Sequence, residues 1–142
     1  VGAFYTNEAC LTLAAEKQTA LALSKVRLFK STFIPTVATT AAELAAAEAA
    51  FTGYPAGGAA VVAFLDPILD PSGGASITAP TVQFDMGPAP ILATDLVGGF
   101  WLEDAAGDVR LVGTFGAPIP MEVLGQGFPL NIKLVDPTGQ VV

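Results

Sequence analysis

The chain has 142 residues, 52% of them hydrophobic and 13% charged, and thirteen acidic against six basic side chains leave a net charge of −7. A chain of this length buries about two-thirds of the surface its unfolded form exposes, yet an ordinary soluble domain carries roughly a quarter charged residues, so the surface here is either built of Ala, Gly, Thr, Pro and Gln or partly covered by partners. Six bases neutralise few phosphates, which argues against nucleic-acid binding, and no apolar run approaches the roughly 20 residues of a membrane span, the longest candidate being the short Gly/Ala-rich stretch Gly57 to Leu65.

Val1 to Glu8 lacks a basic region followed by an apolar stretch, so no secretory signal is expected there. Thr6 or Asn7 can cap a helix whose first turn holds Glu8, which predicts a short helix over Glu8 to Lys17. Cys10, the single cysteine, is flanked by Ala and Leu and reads as a small buried hydrophobe. Val26 to Lys30 alternates in strand fashion, and Ser31 to Thr39, with Pro35 and several threonines, reads as an extended loop. Thr40-Ala41-Ala42-Glu43 is a capping box, and the strong helix formers that follow predict a second helix over Glu43 to Ala50.

Phe51 to Gly58 breaks that helix with Gly and Pro, and a strand is expected over Ala60 to Leu65. Asp66-Pro67 and Asp70 to Gly74 mark turns, followed by strand alternation at Ser76 to Thr78 and Thr81 to Phe84. The clearest pairing joins Val97 to Glu103 with Asp108 to Phe115 through Asp104-Ala105-Ala106-Gly107, whose Gly suits a hairpin loop. Ile119 to Leu124 and Leu130 to Val135 complete the strands, with Pro118, Pro120 and Pro129 expected at strand ends or edges. Short strands with turn signals at about ten-residue spacing predict a mainly β fold: a single antiparallel β-sandwich or barrel-like domain over residues 1–142, with one or two short helices. Residues 1–23 are expected to form an amino-terminal extension or arm.

The chain has no His, which removes Ser-His and Cys-His nucleophilic pairs, imidazole bases and the commonest zinc sites. Asp66 with Asp70, and Asp104 with Asp108, are spaced as paired carboxylates that glycoside hydrolysis could use, but Asp before Pro or Gly is ordinary turn chemistry. A calcium loop is weakly supported, since the D-x-D-x-D-G pattern is missing. The glycine-rich stretches lack phosphate-loop and dinucleotide spacing. The reading is therefore of a non-enzymatic protein without metal or cofactor. Phe100 and Trp101 could offer a stacking platform to a sugar, as in a carbohydrate-binding module or adhesin, although alternation sends one ring to each face and Trp101 reads as core or interface.

Three stretches carry a resemblance to a family. Val26-Arg27-Leu28-Phe29-Lys30-Ser31-Thr32-Phe33-Ile34-Pro35-Thr36 is similar to an "L-F-K-N-N-F-T-P" strand and loop. Ala47-Glu48-Ala49-Ala50-Phe51-Thr52-Gly53-Tyr54 is similar to "E-A-x-F-x-G-Y". Gly98 to Phe115 is similar to a "Y-G-Y-x-V-T-D-A-A-G" hairpin, followed by Ala117-Pro118. In this order they resemble a family of small virion proteins of tailed bacteriophages. The Phe4 to Leu23 segment, the Ser/Gly/Pro-rich middle and Asp95-Leu96 depart from the pattern. The resemblance implies a structural protein of the virion, on the capsid or in the tail, baseplate or fibre adaptor. Joined to the low charge, it makes a capsid decoration (cement) protein on the outer capsid surface the leading expectation. Its partners would be the major capsid protein and copies of itself, as in a homotrimer, with no nucleic acid and no membrane. Phe4, Tyr5, Phe51, Tyr54 and Trp101 are the candidate partner-binding residues.

Overall fold

The computed structural model describes residues 3–55, 57–61, 63–85, 96–120, 127–136 and 140–141. In chain order the elements are β1 (Ala3–Phe4), α1 (Asn7–Ala20), β2 (Lys25–Lys30), α2 (Ala41–Ala46), β3 (Ala59–Ala60), β4 (Ile68–Leu69), β5 (Ala75–Thr78), β6 (Val82–Asp85), β7 (Val97–Glu103), β8 (Val109–Ile119), β9 (Gly127–Leu130), β10 (Lys133–Asp136) and β11 (Gln140–Val141). The fold is of the expected class, mainly β and sandwich-like, with antiparallel sheets and two helices. The chain divides into two compact units, one made of Val1–Leu23, Val61–Thr81 and Asn131–Val142, the other of Ser24–Ala60 and Val82–Leu130. Because the units interleave along the chain, no composition shift marks a boundary between them.

In the first unit β10, β5 and β4 form an antiparallel sheet and β1 pairs with β11. Thr6 caps α1, its hydroxyl accepting the Ala9 N–H at 3.1 Å. Cys10 and Ala14, one helical turn apart, are buried as α1 packs on β5, β10 and β4. Residues 7–20 of the expected arm are thus a docked helix. The Asp70 to Gly74 turn joins β4 to β5, with Gly73 and Gly74 at φ of 105° and 74°, a conformation that glycine adopts without steric cost.

In the second unit the sheet order is β3-β2-β7-β8, and β6 pairs with β9. The hairpin between β7 and β8 turns on Gly107 at φ 86°, and the Asp104 carboxylate accepts the Ala106 and Asp108 N–H groups at 2.9 and 3.0 Å. Trp101, Phe29 and Leu44 of α2 form a core on one face, with Phe33, Val109 and Val112 packed against it. Two strand glycines seat aromatic rings. A Cβ on Gly99 would lie 2.3 Å from Phe29 Cζ, and one on Gly113 would lie 2.3 Å from Phe100 Cε1. Phe100 and Phe115 share the opposite face, their ring centroids 6.1 Å apart.

Several boundaries differ from the sequence reading. The second helix ends at Ala46, not Ala50, because residues 47–49 bond to β2: Lys30 N–H donates to Ala47 O at 2.9 Å, Ala49 N–H donates to Leu28 O at 2.8 Å, and Glu48 bridges Phe29. Alanine's helix preference is worth only tenths of a kcal/mol per residue, less than those bonds. The strand expected over Ala60 to Leu65 is confined to Ala59–Ala60, since the chain leaves one unit and enters the other there; Val62 lies outside the described residues. Leu130 to Val135 splits into β9 and β10 at the return crossing. Of Ile119 to Leu124, Ile119 ends β8, and residues 121–124 lie outside the described residues. No helix among the described residues is long and apolar enough to cross a membrane.

Gly99→Ala is expected to destabilise the fold by about 1–3 kcal/mol, the usual cost of overpacking, because its Cβ would also lie 2.2 Å from the Gly113 carbonyl oxygen. Gly116→Ala, where a Cβ meets nothing within 4 Å, is the control and should leave the urea midpoint nearly unchanged.

Candidate interaction site and the charge network behind it

The densest polar cluster lies in the second unit. Strand register places Arg27 of β2 opposite Trp101 of β7, and Lys25 opposite Glu103. The Arg27 guanidinium lies over the indole, 5.1 Å from the ring centroid. Its Nη1 donates to both Glu103 oxygens at 3.1 Å, and its Nε donates to Glu48 Oε1 at 2.9 Å while Nη2 pairs with Glu48 Oε2. Trp101 Nε1–H donates to Glu103 Oε1 at 2.9 Å. Tyr54 completes the cluster: its hydroxyl donates to Glu48 Oε1 at 2.7 Å and accepts the Leu28 N–H at 3.1 Å.

Such charge-assisted bonds are stronger than neutral ones, and here they close on themselves. The hydrogen bond to Glu48 is the main cause holding the Arg27 pKa above its ordinary value. Burial chiefly pushes the Tyr54 hydroxyl up. A guanidinium held by two carboxylates has no fork to offer a phosphate, and carboxylates held by Arg27 are not placed as an acid and base pair. The network acts as a clasp: β3 bonds Lys25 and Val26, residues 47–49 bond Leu28 to Lys30, and the Tyr54 hydroxyl serves the Leu28 amide.

The five candidate partner-binding residues separate by environment. Phe4 is 79% exposed and Tyr5 43% exposed, and Tyr5 lines a shallow groove with Thr6, Glu8, Ala9, Thr12 and Leu13. Trp101 is wholly buried and Phe51 nearly so, which corrects their assignment to a partner-binding surface: their rings fill the core. Tyr54 is half-buried, edge-on to Phe51 at 5.4 Å and stacked on Phe84 at 6.3 Å. The burial of Trp101 also removes the main ring of a sugar-stacking platform.

Of the paired aspartates, Asp70 and Asp104 bond the amides of their own turns. Asp70 Oδ1 accepts from the Ser72 N–H and hydroxyl, and Oδ2 pairs with the Lys133 ammonium. Asp66 Oδ1 accepts from Gln18 Nε2 at 3.2 Å. Asp104 pairs with Arg110 at 2.7 Å. Among the described residues no three His, Cys, Asp or Glu side chains cluster to hold a metal ion.

The surface that the sequence reading missed lies between the 31–40 loop and β8. Ile34 is 83% exposed and Val37 fully exposed. Thr39 Oγ1 accepts the Thr36 N–H at 2.7 Å and Thr36 Oγ1 accepts the Ala38 N–H at 3.2 Å, so the loop holds its own turn. Pro35, Thr36, Val37 and Thr39 face Val109 to Val112 and Thr114 across an open groove of ≈ 590 Å³. One signal for it was present in the sequence: no charged residue lies between Lys30 and Glu43. No known protein family, curated protein or solved structure matches the chain.

Tyr54→Phe leaves the buried Leu28 N–H without its acceptor and should cost about 1–3 kcal/mol, read from urea unfolding followed by Trp101 fluorescence. The Lys133 ammonium, with Ser72, holds the Asp70 carboxyl well below its ordinary 3.8. A depressed carboxyl contributes stability in full above that ordinary value and loses it as pH falls below it. Asp70→Asn should therefore lower the melting temperature at neutral pH and flatten its fall in acid; an unchanged acid limb would contradict this assignment.

Proposed function

We propose that this chain is a structural protein of a tailed-bacteriophage virion, a capsid decoration (cement) protein that stabilises the shell by burying surface between major capsid proteins. The observation that carries the reading is the pairing of a low-charge surface with large apolar side chains held in solvent. Phe4, Leu23, Ile34, Val37 and Ile68 are each more than half exposed, in a chain of which 13% is charged. The core of a protein–protein interface is depleted of charge and enriched in large side chains, so such groups suit a surface that a partner covers.

The resemblance adds to this. The residues that carry it have structural work in the fold: Phe29 and Phe33 pack edge-on at 5.8 Å, Glu48 and Tyr54 clasp β2, and Asp104 and Gly107 make the hairpin turn.

Cryo-electron microscopy of intact virions, with mass spectrometry of their proteins, tests the proposal. The expected result is density for this protein on the outer capsid, and particles stripped of it should release DNA at lower temperature. Phe4→Ser should weaken its rebinding to stripped capsids without lowering its own melting temperature. Its absence from virions would overturn the proposal.

A further inference from the structure

We propose that Leu23 is an anchor of the assembly surface, held out of the fold to fill an apolar pocket on the major capsid protein. The inference deepens the virion reading above and rests on it, naming one residue of this chain that makes the contact.

Leu23 follows α1, two residues beyond the C-cap Leu21, and its backbone lies at φ 60°. That left-handed conformation crowds the Cβ of an L-residue against a carbonyl oxygen, so glycine, and less often Asn or Asp, is the residue that takes it. The chain follows this rule elsewhere: the other described positions of positive φ are Gly53, Gly57, Gly58, Gly73, Gly74 and Gly107. The turn is fixed by its own bonds, Leu21 N–H donating to Lys17 O at 3.0 Å and Ala22 N–H to Thr19 O at 3.3 Å. It accounts for the backbone angle and not for the choice of leucine.

Packing does not account for that choice either. A residue just past a helix end often lays its apolar group back on the last turn, but Leu23 is 79% exposed. The position carries two costs at once, a strained backbone and an isobutyl group in water, and the free chain recovers neither. Residues held in the left-handed region cluster where ligands and partners are gripped. Burial in a partner removes the side chain from water, and the fixed turn leaves little further ordering to bind.

The surroundings fit a pocket. Thr19, Ala20 and Ala22 are exposed beside Leu23, small side chains over which the rim of a pocket can close. A lipid surface would call for a broad apolar helix face, whereas Leu23 rises among small and polar neighbours. A different protein fits better than a second copy of this chain, because Glu8 and Glu16 are exposed on α1 and each copy carries −7, so copies meeting there repel. The occupant is therefore an apolar pocket of the shell protein.

Calorimetry of the full chain and rebinding to stripped capsids test the anchor, with Leu23→Gly and Leu23→Ala. Leu23→Gly should raise the melting temperature by about 2–4 °C, since glycine relieves the strain, and yet weaken rebinding by about tenfold or more. Leu23→Ala, which keeps a Cβ at the same φ, should weaken rebinding comparably with no gain in melting temperature. Rebinding of both variants at the wild-type level, with Phe4→Ser still weakened, would overturn this inference and leave the proposed function standing. A melting temperature that Leu23→Gly fails to raise would overturn it too, since the strain is its premise. Self-association of the wild-type chain that Leu23→Ala abolishes would overturn it by assigning the leucine to a second copy. A wild-type chain that does not rebind capsids at all would overturn the proposed function, and the anchor with it.

Discussion

Glu48 holds the second unit together. One carboxylate accepts from the Arg27 guanidinium and from the Tyr54 hydroxyl, tying β2 to the loop that carries Tyr54. The bonds from residues 47–49 draw the chain out of helical geometry onto β2. Tyr54 then spans the gap that short β3 leaves along the same edge. Arg27 needs both Glu48 and Glu103, because a guanidinium largely removed from water is costly unless its N–H groups are paired. The pairing with Trp101 places an indole beneath the same cation, so one charge ties β2, β7 and the turn after α2 into a single cluster.

The sheet beside that cluster is shaped by two exchanges of side-chain volume. Gly99 and Gly113 carry no Cβ, and the rings of Phe29 and Phe100 occupy that space on opposite faces. A strand glycine ordinarily weakens a sheet. Here an aromatic ring covers each one, which restores apolar burial and lets β7 lie with alternate residues packed on both sides. The aromatic core of the second unit and the turn carboxylates of Asp70 and Asp104 are engaged within the fold, and what each unit presents outward is its surface.

That surface is short of charge and locally apolar, and the exposed groups sit on well-bonded supports. Phe4 and Tyr5 precede a capped helix, while Ile34 and Val37 project from a loop that bonds to itself through Thr36 and Thr39. Preorganised apolar groups lose little entropy when a partner covers them. This economy of order is what assembly by surface burial requires, and it is the physical link between the fold and the proposed role on a virion.

How much of this the sequence revealed follows from where each interaction is made. Local chemistry was legible: Thr6 and the Thr40 to Glu43 box cap helices through bonds within four residues, and Asp104 to Gly107 turns a hairpin because its carboxylate and its glycine act on neighbouring amides. The mainly β class followed from strand alternation for the same reason. What only the tertiary structure decided were contacts between residues distant in the chain. The helix end at Ala46, the burial of Phe51 and Trp101, the use of Tyr54 as a surrogate strand partner, and the interleaving of two units all depend on groups distant in the chain, such as Leu28 with Ala49 and Arg27 with Glu103. Composition alone determined that the surface would be poor in charge. Which apolar residues stayed on it was decided by packing: of the five rings read as adhesive, Phe4 and Tyr5 are exposed, while Trp101 and Phe51 fill the core.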